Sequence, residues 1–156
     1  MSALDQYIEA LSSPEDALLH ELERETYLRV LNPRMISGHI QGKLLEMIVR
    51  MIRPQRVLEI GTFTGYSALS MAAGLPEGGV IDTCEVDDEL EMMILDFFSR
   101  SSYAERLRLH IGSALEIAPQ LGELYDLVFI DGDKREYTAY YNMLFDNNLV
   151  KSGSWI

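Results

Sequence analysis

A chain of 156 residues holds one domain with a sizeable core and little more. Its residues are 47% apolar and 24% charged, a globular composition, and a formal net charge of −12 argues against broad contact with nucleic acid or an anionic membrane. Cys84 stands alone, no apolar run approaches the ~20 residues of a bilayer span, and MSALDQYIEA shows no signal-peptide pattern, so a cytoplasmic protein is expected.

The first third reads as helix. Ser13-Pro14-Glu15-Asp16 sets a hydroxyl cap, a proline at the first helical position and acids in the first turn. A second helix is predicted from about Ser37 to Ile52, stopped by Pro54. Its apolar stripe is Ile40, Leu44, Leu45, Ile48, Met51 and Ile52. From Arg56 the period alternates: strands at 56–61, 79–86, 106–112 and 125–132, helices at about 65–74, 88–101, 113–120 and 134–147. A fifth strand is expected near Ser154, and the chain stops inside it at Ile156, which reads as a C-terminal truncation. This order predicts a single α/β domain over 1–156, with N-terminal helices at 1–53 and a sheet core at 56–156. The sheet should be open and mostly parallel, with helices on both faces.

In such sheets ligands bind beyond the carboxyl ends of the strands, where strand order reverses. The polar ends here are Glu59-Gly61, Glu85-Asp87, Gly112-Ser113 and Asp131-Asp133, all expected on one side of the domain. Gly61 and Gly65 frame the first strand-to-helix turn, where glycine permits positive φ and close backbone approach. Their spacing leaves the dinucleotide fingerprint G-x-G-x-x-G incomplete. Glu59 lies inside an apolar strand and needs donors, supplied by loop amides or by a positive centre on a ligand. Glu85, closing the second strand, suits the two hydroxyls of a ribose. That geometry serves nicotinamide-dinucleotide and adenosyl cofactors alike. Asp87, Ser113 (with Glu116 as a capping box) and Asp133 also read as helix caps.

Five stretches, LNPRMISGHIQGKLL, RVLEIGTFTGYSALSMA, GGVIDTCEVDDE, RLRLHIGSALEIAPQL and YDLVFIDGDKREYTAYY, resemble one family. It is the cation-dependent catechol and caffeoyl-CoA type O-methyltransferases, within the class I S-adenosylmethionine-dependent methyltransferases. The resemblance implies a Rossmann-like fold with its final strands missing here. It implies that Glu59, Gly61 and Tyr66 surround the methionine moiety of the cofactor, with Gly65 in the turn. Met35 and Ser37 match the segment whose backbone approaches that ligand. Glu85 matches the ribose-binding acid, and Ser113 and Ala114 the adenine-side loop, where IGSAL replaces the commoner GDAL. Asp131 matches a cation ligand and part of the methionine-amine environment, and Lys134 the lysine that activates the acceptor.

The implied reaction moves a methyl group from S-adenosylmethionine to a hydroxyl of a small catechol-like or hydroxycinnamoyl-type acceptor. Mg²⁺ or another divalent cation assists. The family's adjacent Asp-Asn pair, which completes the cation site, is not reached before Ile156, so this length is expected to hold a weakened or absent metal site and to be inactive. A homodimer is implied for the intact protein. Two rivals stand beside this reading: a nicotinamide-dependent oxidoreductase on the same sheet, and a noncatalytic ligand-binding or interaction domain. His20, His39 and His110 show no metal-ligand spacing, and Tyr137, Tyr140, Tyr141, Cys84 and Trp155 read as packing residues.

Overall fold

The computed structural model describes residues 3–156; Met1 and Ser2 of the predicted helical N-terminus lie outside the described residues. Three helices, α1 (Ala3–Leu11), α2 (Ala17–Arg29) and α3 (Gly38–Ile52), precede the sheet. There follow β1 (Arg56–Ile60), α4 (Tyr66–Ala72), β2 (Val80–Glu85), α5 (Glu91–Arg100), β3 (Leu107–Ile111), α6 (Ala114–Leu121), β4 (Tyr125–Ile130), α7 (Tyr137–Asp146) and β5 (Val150–Trp155). The strand order is β3-β2-β1-β4-β5 and every neighbouring pair is parallel. Order therefore reverses between β1 and β4, the place where such a sheet opens a crevice.

Alternation along the strands divides two cores. Val57, Ile81, Leu107 and Leu127 face α2 to α5, packing on Leu22, Val49, Met71 and Ile94. Leu58, Ile60, Cys84 and Val128 face α6 and α7, packing on Ala118, Met143 and Leu144. The result is three layers, helices on sheet on helices. Every residue of α4 is buried, so its position is set from all sides.

Several sequence expectations are corrected. The cap of α2 is Asp16, whose side chain accepts Leu18 N–H at 2.8 Å, so Ser13 and Pro14 precede the helix. On α3 the buried face is Gly42, Leu45 and Val49, whereas Ile40, Leu44 and Met51 are 42, 49 and 74% exposed. A Cβ on Gly42 would stand 2.6 Å from Ser70 Oγ and 2.8 Å from the Tyr66 ring, so α3 meets α4 through its glycine side. The fifth strand begins at Val150, not near Ser154, and Trp155 is 60% exposed rather than packed. Tyr140 is buried, but Tyr137 and Tyr141 are not. Burial pushes the Cys84 thiol up to about 12, as suits a small core residue.

Candidate active site at the carboxyl ends of the strands

The carboxyl ends of β1, β2, β3 and β4 open into a pocket of about 690 Å³. Met35 and Ser37 reach it from the segment before α3. Gly61 and Tyr66 come from the β1–α4 turn, and Glu85 from the end of β2. Ser113 and Ala114 stand at the start of α6, and Asp131 and Lys134 in the β4–α7 turn. Glu59 and Gly65 lie behind this wall. Gly65 (φ +93°) faces α5, where an added Cβ would meet the Phe98 ring at 2.7 Å.

Gly61, just after β1, sits against Asp131, just after β4. At φ +101° an added Cβ would lie 2.6 Å from the Asp131 carbonyl oxygen, a contact and a conformation that both demand glycine. Asp131 N–H in turn donates to Ile60 O at 2.9 Å, continuing the ladder into the site. The β1 and β4 tips are thereby locked side by side, and Asp131 is set beside the glycine turn.

Glu85 has the structural role expected of Glu59. Its Oε2 accepts the Phe63 N–H at 2.6 Å and its Oε1 the Asp87 N–H at 3.0 Å. Each carboxylate oxygen has a second lone pair for a ligand hydroxyl. Glu59 bonds no loop amide. It is fully buried, its Oε2 accepts the Thr83 hydroxyl at 2.5 Å, and its Oε1 has no partner. Thr62 Oγ1 lies 2.5 Å from Thr83 Oγ1, so a chain of two hydroxyls leads from the pocket wall to the buried acid. Burial lifts Glu59 to about 7 despite the lowering effect of the nearby Ser67 and Thr83 hydroxyls, and Asp131 and Glu85 add to the rise.

Tyr66 is 2% exposed and its hydroxyl donates to Glu15 Oε1 at 2.5 Å, tying the start of α4 to the segment before α2. Burial and the Glu15 carboxylate both raise its pKa. Ser113 stands at the start of α6, yet its side chain makes no capping bond, correcting the capping box. Asp87 and Asp133 do cap, accepting Glu89 and Arg135 N–H at 3.1 and 2.9 Å. The Arg135 guanidinium is held by Asp133, whose carboxyl it draws down to about 2. That leaves Lys134, exposed and without an ion-pair partner among the described residues, as the cation at this tip. Partial desolvation raises Asp131 against the pull of Lys134.

Sequence reasoning passed over Thr62 and Phe63, which line the pocket from inside GTFTGY, and read as packing alone Tyr140, which also lines it and bonds Glu136 Oε2 at 2.6 Å beside Gly132. Phe63 adopts φ +51°, a conformation that no residue type in the sequence announces. Two histidines have partners elsewhere in the fold: His110 Nε2 lies 2.9 Å from Asp82 Oδ1, and His39 Nε2 lies 2.8 Å from Ser13 O. Among the described residues no group of three His, Cys, Asp or Glu side chains forms a cation site. Asp131 supplies one carboxylate, and the residues present do not make up the divalent site expected from the resemblance.

A parallel sheet in this order, with its pocket at the reversal of strand order, is the Rossmann-like fold of class I methyltransferases. The methyltransferase PaMTH1 of Podospora anserina, solved with SAH (S-adenosylhomocysteine) bound, superposes with a TM-score of 0.90 at 27% identity, over 97% of this chain and 65% of that one. An O-methyltransferase of Bacillus cereus in complex with SAH gives 0.87 at 30% identity, over 96% and 69%. Residues 9–156 match the O-methyltransferase family, and the chain belongs to it. The catechol O-methyltransferase of Niastella koreensis is 31% identical over 144 residues, covering 89% of this chain and 64% of that protein. Caffeoyl-CoA O-methyltransferase 2 of Petunia hybrida is 34% identical over 128 residues, covering 78% and 52%. The chain thus spans between half and two-thirds of the length of these curated relatives.

Proposed function

We propose that this chain is the donor-binding part of an S-adenosylmethionine-dependent O-methyltransferase acting on a hydroxyl of a small catechol-like or hydroxycinnamoyl-type aromatic. The observation that carries the reading is the meeting of Glu85, the Gly61 turn and Asp131 around one pocket, at the reversal of a parallel sheet. When bound, S-adenosylmethionine supplies an electrophilic methyl group on a sulfonium.

The residues divide the work. Glu85 offers its remaining lone pairs to vicinal hydroxyls while holding the Phe63 turn in place. Asp131 presents a negative charge beside the glycine turn for an ammonium or sulfonium centre. Lys134, without an ion-pair partner among the described residues, holds the phenolate as it forms or, as the neutral amine, receives the phenolic proton. Positioning of that oxygen behind the methyl carbon contributes rate by removing the entropy of encounter. Cation assistance belongs to this reading through family likeness, with Asp131 the residue that would touch the ion. A homodimer working in the cytoplasm belongs to the reading on the same ground. No described helix is long and apolar enough to cross a membrane.

Calorimetric titration with S-adenosylhomocysteine and separately with NAD tests the assignment. Saturable binding of the first alone is expected. Saturation by NAD with none by S-adenosylhomocysteine would establish the oxidoreductase rival instead.

A further inference from the structure

The donor turn, Gly61 to Tyr66, has positive φ at Gly61, Phe63 and Gly65, a path with little stiffness of its own. Its shape depends on what holds it from outside. The first half is held by β2. Gly61 and Thr62 N–H donate to Cys84 O at 3.0 and 3.2 Å, Thr62 Oγ1 lies 2.5 Å from Thr83 Oγ1, and Glu85 accepts the Phe63 N–H. The second half is held by the chain that precedes the sheet. Thr64 Oγ1 lies 3.1 Å from Thr26 Oγ1 on α2, and the Tyr66 hydroxyl donates to Glu15 Oε1 at 2.5 Å, a bond between residues 51 apart in sequence.

Glu15 lies in the short link between α1 and α2. Its side chain is 15% exposed, and Oε2 stands 3.0 Å from His20 Nδ1, so the carboxylate is oriented from two directions. His39 Nε2, 2.8 Å from Ser13 O, holds the same link against α3. Tyr66 needs such a partner. It borders both the donor pocket and a separate cavity of about 250 Å³ between α2, α3 and α4, lined by Leu19, His39, Lys43 and Leu69. With space on two sides, packing leaves its side chain room to shift, and the hydroxyl bond is what fixes it. Burial, aided by the Glu15 carboxylate, keeps the phenol protonated, so it remains the donor.

We propose that Glu15 is a positioning residue for methyl-donor binding: through the Tyr66 hydroxyl it fixes the second half of the turn against which the donor is held. The proposal rests on the O-methyltransferase reading, because it takes the pocket beyond Gly61 as the donor's. It makes the link between α1 and α2 a working part of that site, although Glu15 acts only through Tyr66.

The test is calorimetric titration with S-adenosylhomocysteine across a double-variant cycle. Glu15→Ala should weaken binding about three- to tenfold, the usual net strength of one hydrogen bond. Glu15→Gln keeps an acceptor oxygen for the phenol and should stay within about twofold of the unaltered chain. Tyr66→Phe should lose about as much as Glu15→Ala, and the double variant no more than either single one. Each titration is run well below the variant's own denaturation midpoint, which separates a misplaced turn from a weakened fold. Unchanged affinity in folded Glu15→Ala, an equal loss in Glu15→Gln, or additive losses in the double variant would each overturn the proposal. If Glu15→Ala does not fold, Tyr66→Phe decides, since its ring still packs while the bond to Glu15 is gone, and undiminished affinity there overturns the proposal. No binding of S-adenosylhomocysteine by the unaltered chain would instead refute the methyltransferase reading, and the proposal with it.

Discussion

Glu85 Oε2 accepts the backbone N–H of Phe63 at 2.6 Å, so the acid that ends one strand holds the turn that ends its neighbour. One side chain thereby shapes the donor pocket and faces into it. Glu85→Ala removes both functions. S-adenosylhomocysteine affinity should fall about ten- to a hundredfold, the worth of one or two charge-assisted bonds. Glu85→Gln keeps one acceptor oxygen and should lose less. Calorimetry on the two variants checks the order, and equal affinity for wild type and Glu85→Ala would remove Glu85 from the site.

Glu59 makes stability depend on pH in an unusual direction. An acid lifted from its ordinary value of 4.5 to about 7 in the fold is favoured there in its neutral form. Its contribution is complete below the unfolded value, declines as pH rises through the interval, and is gone above about 7. Urea denaturation should therefore show wild type losing on the order of a few kcal/mol from pH 5 to pH 7.5 relative to Glu59→Gln, which has no proton to lose. Parallel curves for the two proteins would mean that Glu59 is charged throughout.

Gly61→Ala tests the locking of β1 to β4. The new methyl meets the Asp131 carbonyl at 2.6 Å in a left-handed conformation. A loss on the order of 2 kcal/mol or more is expected from strain and overpacking together. Donor affinity should fall with it, because relief requires the Asp131 tip to move. Chemical denaturation and calorimetry on the same sample separate the two effects.

The N-terminal helices are tied to the donor turn through buried hydroxyls. Thr26 Oγ1 lies 2.8 Å from Leu22 O and 3.1 Å from Thr64 Oγ1. With one proton per hydroxyl, Thr26 donates to the carbonyl and Thr64 donates to Thr26. Thr26→Val strands the Thr64 hydroxyl and should cost about 1–3 kcal/mol. The double variant Thr26→Val with Thr64→Val should recover part of that loss, since neither hydroxyl is then left unpaired. Additive losses in denaturation curves would show that the pair is not coupled.

Lys134→Met should lower turnover of a catechol acceptor by about 10²–10⁴-fold, the usual reach of a positioned acid–base group. S-adenosylhomocysteine affinity should be unchanged, because Lys134 lies at the exposed tip beyond the donor turn. Measured single-turnover rates decide between this role and simple electrostatic attraction of the acceptor, which added salt would abolish.

The sheet was legible because β4 carries an unbroken apolar run over residues 127–130, and β1, β2 and β4 run into acids or glycine whose positions became the site. The face of α3 was misread for a definable reason. Counting large apolar residues points to Ile40, Leu44 and Met51, but close contact with α4 selects the side bearing Gly42, which has no side chain to count. The extent of β5 was hidden by its composition, VKSGSW, in which polar residues on an exposed strand give no alternating signal. Glu85, not Glu59, took the loop amides, because only the path of the GTFTGY turn decides which carboxylate the amides reach.

Parallel pairing throughout the sheet has a kinetic consequence. No two neighbouring strands are joined by a tight hairpin, so each pairing must wait for an intervening helix to cross over and for a long loop to close. Refolding from denaturant is accordingly set by distant contacts, with β1 joining β4 across most of the sheet's connectivity before the pocket exists. Acquisition of donor affinity should be among the last events of that process.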